Sequence, residues 1–533
     1  MKPEGSVKAY YPFWVILAIM LATLSCNAPD LDFSDELADL QATPTHTIEA
    51  VSPTEIPEST ATPSPTPSVT ETPAVPHGPT MTPMAGSANP TTPLTEEGPW
   101  LVYRAKEKLD WPSQDTFMFI TNENGSGRQS LTSEALPPFE SVVSPAGDRF
   151  AYILQAEDAG DDVPHLVIRG IPDGEVEIDL ALVSPEIFDQ VSEEEEVLEQ
   201  ILQAVSSDAS IAWSPHGHYL AFTAALNDTN ADLYRFDTWS DNIRQLTHEV
   251  NHAYQPSWAS DGEWILHLEV ERFDEDGEWD VAAMSASTFD GSEVKRLYTI
   301  DGPRQVVVIW VDETHYILVE ETSAGYRNLL RGNLEGSSPR MVYQGPMSDP
   351  EDMSFDDLLS VAAYPVVDDD IAAGDSISSG VYLIDLNEGD PDLILPGAWR
   401  TVEWWQGKGT FIANGEEGTV YIRRTGEIVK EAPEITDPVA LSPDGQWIVS
   451  YGESGAMLYT HIAVEVRQVL EAGVQEVIWD PSSSGFFLEV YLVGNPLSSH
   501  HLYVQAMDEW LLQVVDLDVK GVYFWAGPAV AAP

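Results

Sequence analysis

From Trp100 onward, hydrophobic and polar residues alternate in short runs. Asp232–Asp237 reads DLYRFD, with Tyr234 and Phe236 on one side and Leu233, Arg235 and Asp237 on the other. A period of two marks a β-strand with two distinct faces. Such runs come in groups of four. In the clearest group, strand a is Ser210–Ser214, strand b Tyr219–Ala225, strand c Asp232–Asp237 and strand d Ile243–Thr247. Strands a and b meet in a Ser-Pro-x-Gly turn. Its proline presets φ, and its glycine accepts the left-handed position that starts the return strand.

That hairpin recurs. Val143–Tyr152 (VSPAGDRFAY), Trp213–Phe222 (WSPHGHYLAF) and Leu441–Ser450 (LSPDGQWIVS) are near copies, and Trp258–His267 and Trp479–Leu488 are looser ones. First strands are expected near Ser141, Ile211, Gln255, Gln305, Asp352, Thr401, Pro438, Gln475 and Gly521. Most steps are roughly 37 to 50 residues, the repeat length of a propeller blade. The step from Ser141 to Ile211 is longer because it carries an insertion. Trp100–Ala105, Asp115–Ile120 and Arg128–Thr132 read as strands b, c and d, and Gly521–Gly527 as a strand a. One blade is therefore expected to be shared between the two ends, which closes the ring and leaves no open sheet edge at the seam.

Ile120–Thr132 (ITNENGSGRQSLT), Leu233–Thr247 (LYRFDTWSDNIRQLT) and the Ser-Pro-x-Gly turns resemble TolB-type, WD40-like propeller repeats. The resemblance covers nearly all of residues 100–533, fading after about Gly302, and implies a fold, not a reaction; the propeller is expected to span residues 99–533. The expected fold is all-β: a single β-propeller of eight or nine four-stranded blades, with a disordered N-terminal stalk and one helical insertion at 184–208. The unit near Asp352 is the weakest, so eight is the alternative count.

The N-terminal end follows a different pattern. Lys2 and Lys8 precede the apolar run Ala9–Leu24, the layout of a secretory signal. The run ends in Thr-Leu-Ser-Cys, Thr23–Cys26, which resembles the lipobox of bacterial lipoproteins. The resemblance implies that residues 1–25 are a signal peptide and that Cys26 carries lipid. It also places the rest of the chain outside the cytoplasm, anchored to a bacterial membrane. Asn27 stands where an Asp would, in that family, favour inner-membrane retention. Residues 26–98 are a stalk rich in Thr and Pro, whose composition buries no core and favours extended polyproline II.

In a propeller the b–c and d–a connections share one face, and the a–b and c–d turns share the other. Here the b–c and d–a connections are the long ones, among them Gln155–Pro164, Val270–Glu278 and Val366–Ser379. The longest, Ser184–Asp208, reads as helical. Ser184 would cap it before Pro185, Ser192 and Glu195 would form a capping box, and Val197, Ile201, Leu202 and Val205 would give it an apolar side. Binding residues concentrate on long loops over a rigid scaffold. The candidate binding face is therefore the one carrying Asp158, Asp161, Asp162, Asp274, Asp276, Asp368, Asp369 and Asp370.

Charge narrows the partners. Against 24 Lys and Arg stand 88 Asp and Glu, a net −64. Such a surface repels phosphate backbones, which excludes nucleic acid. The single cysteine rules out internal disulfides and thiolate zinc sites. Asp274–Asp280 loosely resembles a calcium loop, so Asp274, Asp276 and Asp280 are the metal candidates and Ca2+ the ion they would suit, although the twelve-residue loop with a terminal Glu is missing. His216 with His218, His248 with His252, and His500 with His501 read as surface histidines. No Gly-x-Ser-x-Gly elbow, His-Glu-x-x-His or P-loop occurs. The sequence thus reads as a monomeric, lipid-anchored propeller, without a required cofactor, that binds a protein or glycan through its acidic long-loop face. A calcium-dependent propeller enzyme acting on a sugar or lactone, and a structural envelope component, are the rival readings.

Overall fold

The computed structural model describes most of residues 93–527. Residues 1–92, including Cys26, lie outside it, as do shorter segments such as 107–115, 133–141 and 492–499. The described residues form nine four-stranded antiparallel sheets, arranged as the blades of a propeller. We number blades from the first described strand. Blade 2 runs from strand a at Val142–Val143 to strand d at Val176–Ala181, blade 3 from Ile211–Trp213 to Asn242–Gln245, and blade 4 from His252–Trp258 to Val294–Thr299. Blades 5 to 9 begin at Val306, Ser354, Trp399, Val439 and Val474. The count is nine, and the weak unit near Asp352 is a true blade, with strand a at Ser354–Phe355.

Blade 1 closes the ring. Strand b, Trp100–Ala105, pairs on one side with strand c, Phe117–Asn122, and on the other with Phe524–Ala526 from the far end of the chain. Trp100 opposes Ala526 and Val102 opposes Phe524. Strand b starts, and strand a ends, on the same face. The chain therefore enters and leaves the propeller on the turn face. The entry is held by Asn122, whose Oδ1 accepts from Thr95 N at 2.8 Å and whose Nδ2 donates to Pro93 O. The exit is held by Gly527 N donating to Gly147 O at 2.8 Å. A side chain at Gly147 would meet Gly527 backbone at 2.7 Å, and φ there is +67°, so only glycine fits.

The turns behave as their sequence requires. Gly217 and Gly445 have φ near +70°, and Ser483 takes the same left-handed position at φ 60° in blade 9. The turn serine caps the returning strand: Ser214 Oγ accepts from Tyr219 N at 3.0 Å and Ser442 Oγ from Trp447 N at 2.9 Å. In blade 6 the carboxylate of Asp356 does this work, accepting from Ser360 N and Val361 N.

A ring of tryptophans at the turn-face ends of the inner strands joins one blade to the next. The indole N–H of Trp213 donates to Val142 O, Trp258 to Ala212 O, Trp310 to Ser257 O, Trp405 to Ser442 O, Trp479 to Ala440 O and Trp525 to Trp479 O, all at 2.8–3.2 Å. Five of these bonds meet an inner-strand carbonyl and the one from Trp405 meets the first carbonyl of the following turn, a net gain of about 1 kcal/mol apiece. The apolar core lies between blades rather than at the ring's centre. Its largest cluster runs from Ile153 and Ile168 in blade 2, through Phe222 and Tyr234, to Tyr316 and Leu318 in blade 5.

The insertion between blades 2 and 3 is two helices, α1 (Pro185–Val191) and α2 (Glu195–Ser206). Ser184 does cap α1, accepting from Ile187 N, with Pro185 in the first turn. The capping box at Ser192 does not form. Ser192 closes α1, its N–H bonding to Phe188 O, and α2 starts at Glu194 without a side-chain cap. Among the described residues no helix is long and apolar enough to cross a membrane.

Candidate functional site

The most elaborated part of the long-loop face lies over blades 2 to 4. The chain leaves blade 2 by pairing with the end of strand b in blade 3: Ser184 N donates to Ala225 O and Ala225 N to Leu182 O. It then folds into α1 and α2. Ile187, Val191, Ile201, Ala204 and Val205 are buried and belong to the large interblade cluster, while Val197, Leu198 and Leu202 are half-buried against it. The apolar side expected for this segment is thus the one that docks.

Blade 4 reaches up to meet the helices. Its strands b and c, Trp264–Phe273 and Trp279–Thr288, have ten residues each where six or seven are usual here. The excess makes a hairpin that stands above the ring. Gln200 on α2 completes its edge: Nε2 donates to Phe273 O at 2.8 Å, and Oε1 accepts from Phe273 N at 2.6 Å. One amide side chain thereby serves as a short strand. Tyr254 packs edge-on against Phe273 and Trp279, and its hydroxyl donates to Ser207 Oγ at 2.8 Å. Gln155, on the b–c connection of blade 2, donates to Ser206 O at 2.9 Å. The helix is therefore braced from two blades.

One side of α2 borders an open groove of about 460 Å3, lined by Glu195, Leu198, Glu199, Leu202, Gln203 and Ser206. The spacing of three and four residues puts all six on one side of the helix. Its chemistry is two leucines and an amide, with a carboxylate rim continued by Glu193, Glu194 and Glu196. No basic residue lies in the last turn of α2.

Beneath this face, blade after blade carries a buried polar group where strands b and c reach the rim. Asp232 accepts from Thr247 Oγ1 and Gln245 Nε2, and burial raises its carboxyl to about 6. Glu269, fully buried, pairs with Arg296 and accepts from Ser285. Glu320 accepts from Asn328, which in turn accepts from Gln344. Asn414 accepts from Thr419 Oγ1. In blade 9, Glu489 lies 2.6 Å from His500 Nδ1, while burial, and then the charge of Glu489, raises Glu476 to about 7. These groups fasten strands b, c and d to one another at their rim ends, so the long loops stand on a stiff base.

Of the sequence-predicted site residues, Asp158, Asp162 and Asp280 are among the described residues. Asp158 sits in a single helical turn, Ala156–Ala159, and Asp162 is exposed just before strand c of blade 2. Asp280 pairs with Arg272 at 3.1 Å, so its carboxylate answers a cation of its own hairpin. Cys26, Asp161, Asp274, Asp276, Asp368, Asp369 and Asp370 lie outside the described residues. No group of three or more metal-ligating side chains occurs among the described residues. His252 is buried, not a surface histidine. Its Nδ1 accepts from Ala231 N, and burial lowers it to about 4. His216 and His218 lie on the turn face, their rings 6.4 Å apart. Sequence reasoning missed Gln200 and the extended hairpin. Ten-residue alternating runs on both sides of Asp274–Glu278 were the available signal.

No protein-family model matches the chain, and no curated protein does. Many solved structures share its fold. A crystal structure of the eukaryotic initiation factor aligns with 80% of this chain and 98% of its own, at 12% identity and a TM-score of 0.52. Porphyromonas gingivalis dipeptidyl peptidase 4 aligns over 71% of this chain and 59% of its own, at 11% identity and a TM-score of 0.44. TolB from Acinetobacter baumannii aligns over 56% and 64%, at 15% identity and a TM-score of 0.31. At these identities the likeness extends to the β-propeller fold alone, and the first alignment is the one close enough to carry it.

Proposed function

We propose that this chain is an extracytoplasmic, lipid-anchored display propeller. Its work is to hold the long-loop face toward a protein partner, which it grips in the groove along α2. The observation that carries this reading is the separation of the two faces. The chain enters at Pro93–Trp100 and leaves at Ala526–Gly527 on the turn face, while the braced helices and the raised hairpin occupy the opposite face. A tether at the stalk leaves that second face unobstructed. The leucine floor and carboxylate rim suit a segment with apolar side chains flanked by Lys or Arg.

The test is a panel of immobilised peptides and glycans probed with the wild-type chain. Peptides pairing leucine or phenylalanine with lysine or arginine should retain it, and Leu198→Glu with Leu202→Glu should lower retention at least tenfold. Retention only on glycans, or retention indifferent to both leucines, contradicts the reading.

A further inference from the structure

The turn face carries a patch of opposite character between blades 7 and 8. Lys408 lies on the a–b connection of blade 7 and Lys430 on its outermost strand, Ile428–Ala432. Lys430 Nζ donates to the carbonyl of Ile462, in the c–d turn of blade 8. His461, beside Ile462, feels both lysines. Burial first, and then the charges of Lys408 and Lys430, lowers its pKa. These groups therefore lie together across one blade junction. Ile462 is 56% exposed, and Val466, further along in blade 8, is 42% exposed. Two carboxylates close by are already engaged. Glu427 pairs with Arg423 at 2.7 Å, and Asp444 accepts from Ser442 Oγ and Gln446 N within its own turn. In a chain of net charge −64, two lysines converge here beside exposed aliphatic surface, with Glu431 and Glu465 on the flanking strands as the further carboxylates.

One segment of the same chain has the complementary composition. Asp30–Leu40 reads DLDFSDELADL, with Asp30, Asp32, Asp35, Glu36 and Asp39 interleaved with Leu31, Phe33, Leu37 and Leu40. No Lys or Arg occurs between Lys8 and Arg104. The segment lies outside the described residues, and the chain joining it to the propeller reaches blade 1 on the turn face, two blades round the ring from the patch. The roughly 50 residues between Leu40 and Pro93 span about 40 Å as a flexible chain and more as polyproline II, which covers that path. A tether of this kind supplies an effective concentration near the millimolar range, so a weak ionic and apolar contact is enough to be populated.

We propose that Asp30–Leu40 docks on the turn-face patch of Lys408, Lys430, His461 and Ile462, folding the stalk back against the ring. The acids meet the two lysines, and Phe33 or a leucine covers Ile462. The stalk then holds the propeller close to its anchor with the long-loop face turned away.

The experiment uses the full chain with a photo-crosslinking benzoylphenylalanine at position 33. At low salt, the crosslink should map to the peptide that contains Ile462. Lys408→Glu with Lys430→Glu should reduce its yield at least fivefold, as should 1 M NaCl, where charges are screened within about 3 Å. Replacing Asp32, Asp35, Glu36 and Asp39 by Lys in the double variant should restore it, which separates a charge effect from misfolding. Crosslinks spread over the ring overturn the proposal. So do crosslinks between molecules, crosslinks into lipid when vesicles are present, and a yield indifferent to the lysines.

Discussion

On the turn face, a buried end of a strand is met by an indole N–H or a serine hydroxyl from the next blade or the same turn. At the opposite rim, the equivalent depth is held by Asp232, Glu269, Glu320 and Glu489. The first arrangement is mostly neutral and repeats with little variation, the carboxylates of Asp356 in blade 6 and Asp480 in blade 9 being the exceptions. The second uses charges whose partners differ in every blade. Neutral bonds survive changes of pH and salt and suit a closure that must not open. Charged ones are sensitive to their surroundings and position loops that differ from blade to blade. The turn face closes and tethers, and the long-loop face varies and binds.

The largest effect should come from opening the seam. Removing residues 519–533 strips blade 1 of Phe524–Ala526 and exposes the edge of Trp100–Ala105. The expected outcome is loss of a single cooperative thermal transition, with a drop in Tm above 10 °C for what remains. An unchanged melting curve would show that the ring does not depend on its closing strand.

Next in size is the tryptophan ring. Trp479→Ala deletes a buried indole and its bond to Ala440 O, and should cost about 3–5 kcal/mol in chemical denaturation. Leu202→Ala on α2, half-buried beside the groove, should cost about 1 kcal/mol. Equal costs would erase the distinction between a closing face and a binding face.

The charged rim gives a pH test. Glu476 is raised to about 7 in the folded protein and is ordinary, near 4.5, when unfolded. The folded state then holds a proton that the unfolded state releases. This group's contribution is most favourable below pH 4.5, declines as pH rises to 7 and stays low above it. Glu476→Gln should therefore stabilise at pH 8, on the order of 2 kcal/mol after allowing for partial exposure, and do little at pH 4. His252 and His267 act in the opposite sense. Burial lowers both to about 4, so stability is lost as pH falls from 6.5 toward 4. The difference between variant and wild type isolates the glutamate. A gain of the same size at both pH values would assign the effect to packing.

The smallest effect is expected at a single turn cap. Ser442→Ala leaves Trp447 N without its acceptor and should cost about 1 kcal/mol, independent of pH between 5 and 8. Because Asp444 also accepts from Ser442 Oγ, an unchanged denaturation midpoint is the result that would contradict the cap.

Much of the fold was legible because its signals repeat. A proline, an aspartate or serine, and a glycine at fixed offsets declare a turn in any single copy, and several copies at a blade's spacing declare a ring. The seam was legible too, since three strands without a partner at one end matched one strand at the other. The site was harder to read. Acidity pointed to a face, but charge says only that a residue meets water. Asp280 answers Arg272, and the braces of α2 are Gln200, Tyr254 and Gln155, whose types carry no such mark. The start of α2 was misplaced because Ser192 and Glu195 have capping-box spacing, yet in the fold Ser192 ends one helix and Glu194 precedes the next. The tryptophans were visible at the ends of strands a, but their role depends on the neighbouring blade's carbonyl, which no local pattern specifies.

The claim that the long-loop face takes the partner, while the turn face holds only the chain's own segments, is tested most directly by photo-crosslinking in the cell that makes the protein. A crosslinking residue at Leu198, on the groove, is compared with one at Gln446, in the exposed turn of blade 8 on the opposite face. The account predicts a discrete higher-mass species from position 198, the same partner in repeated preparations, and none of comparable yield from position 446. A partner captured at position 446 and absent at 198 would contradict it.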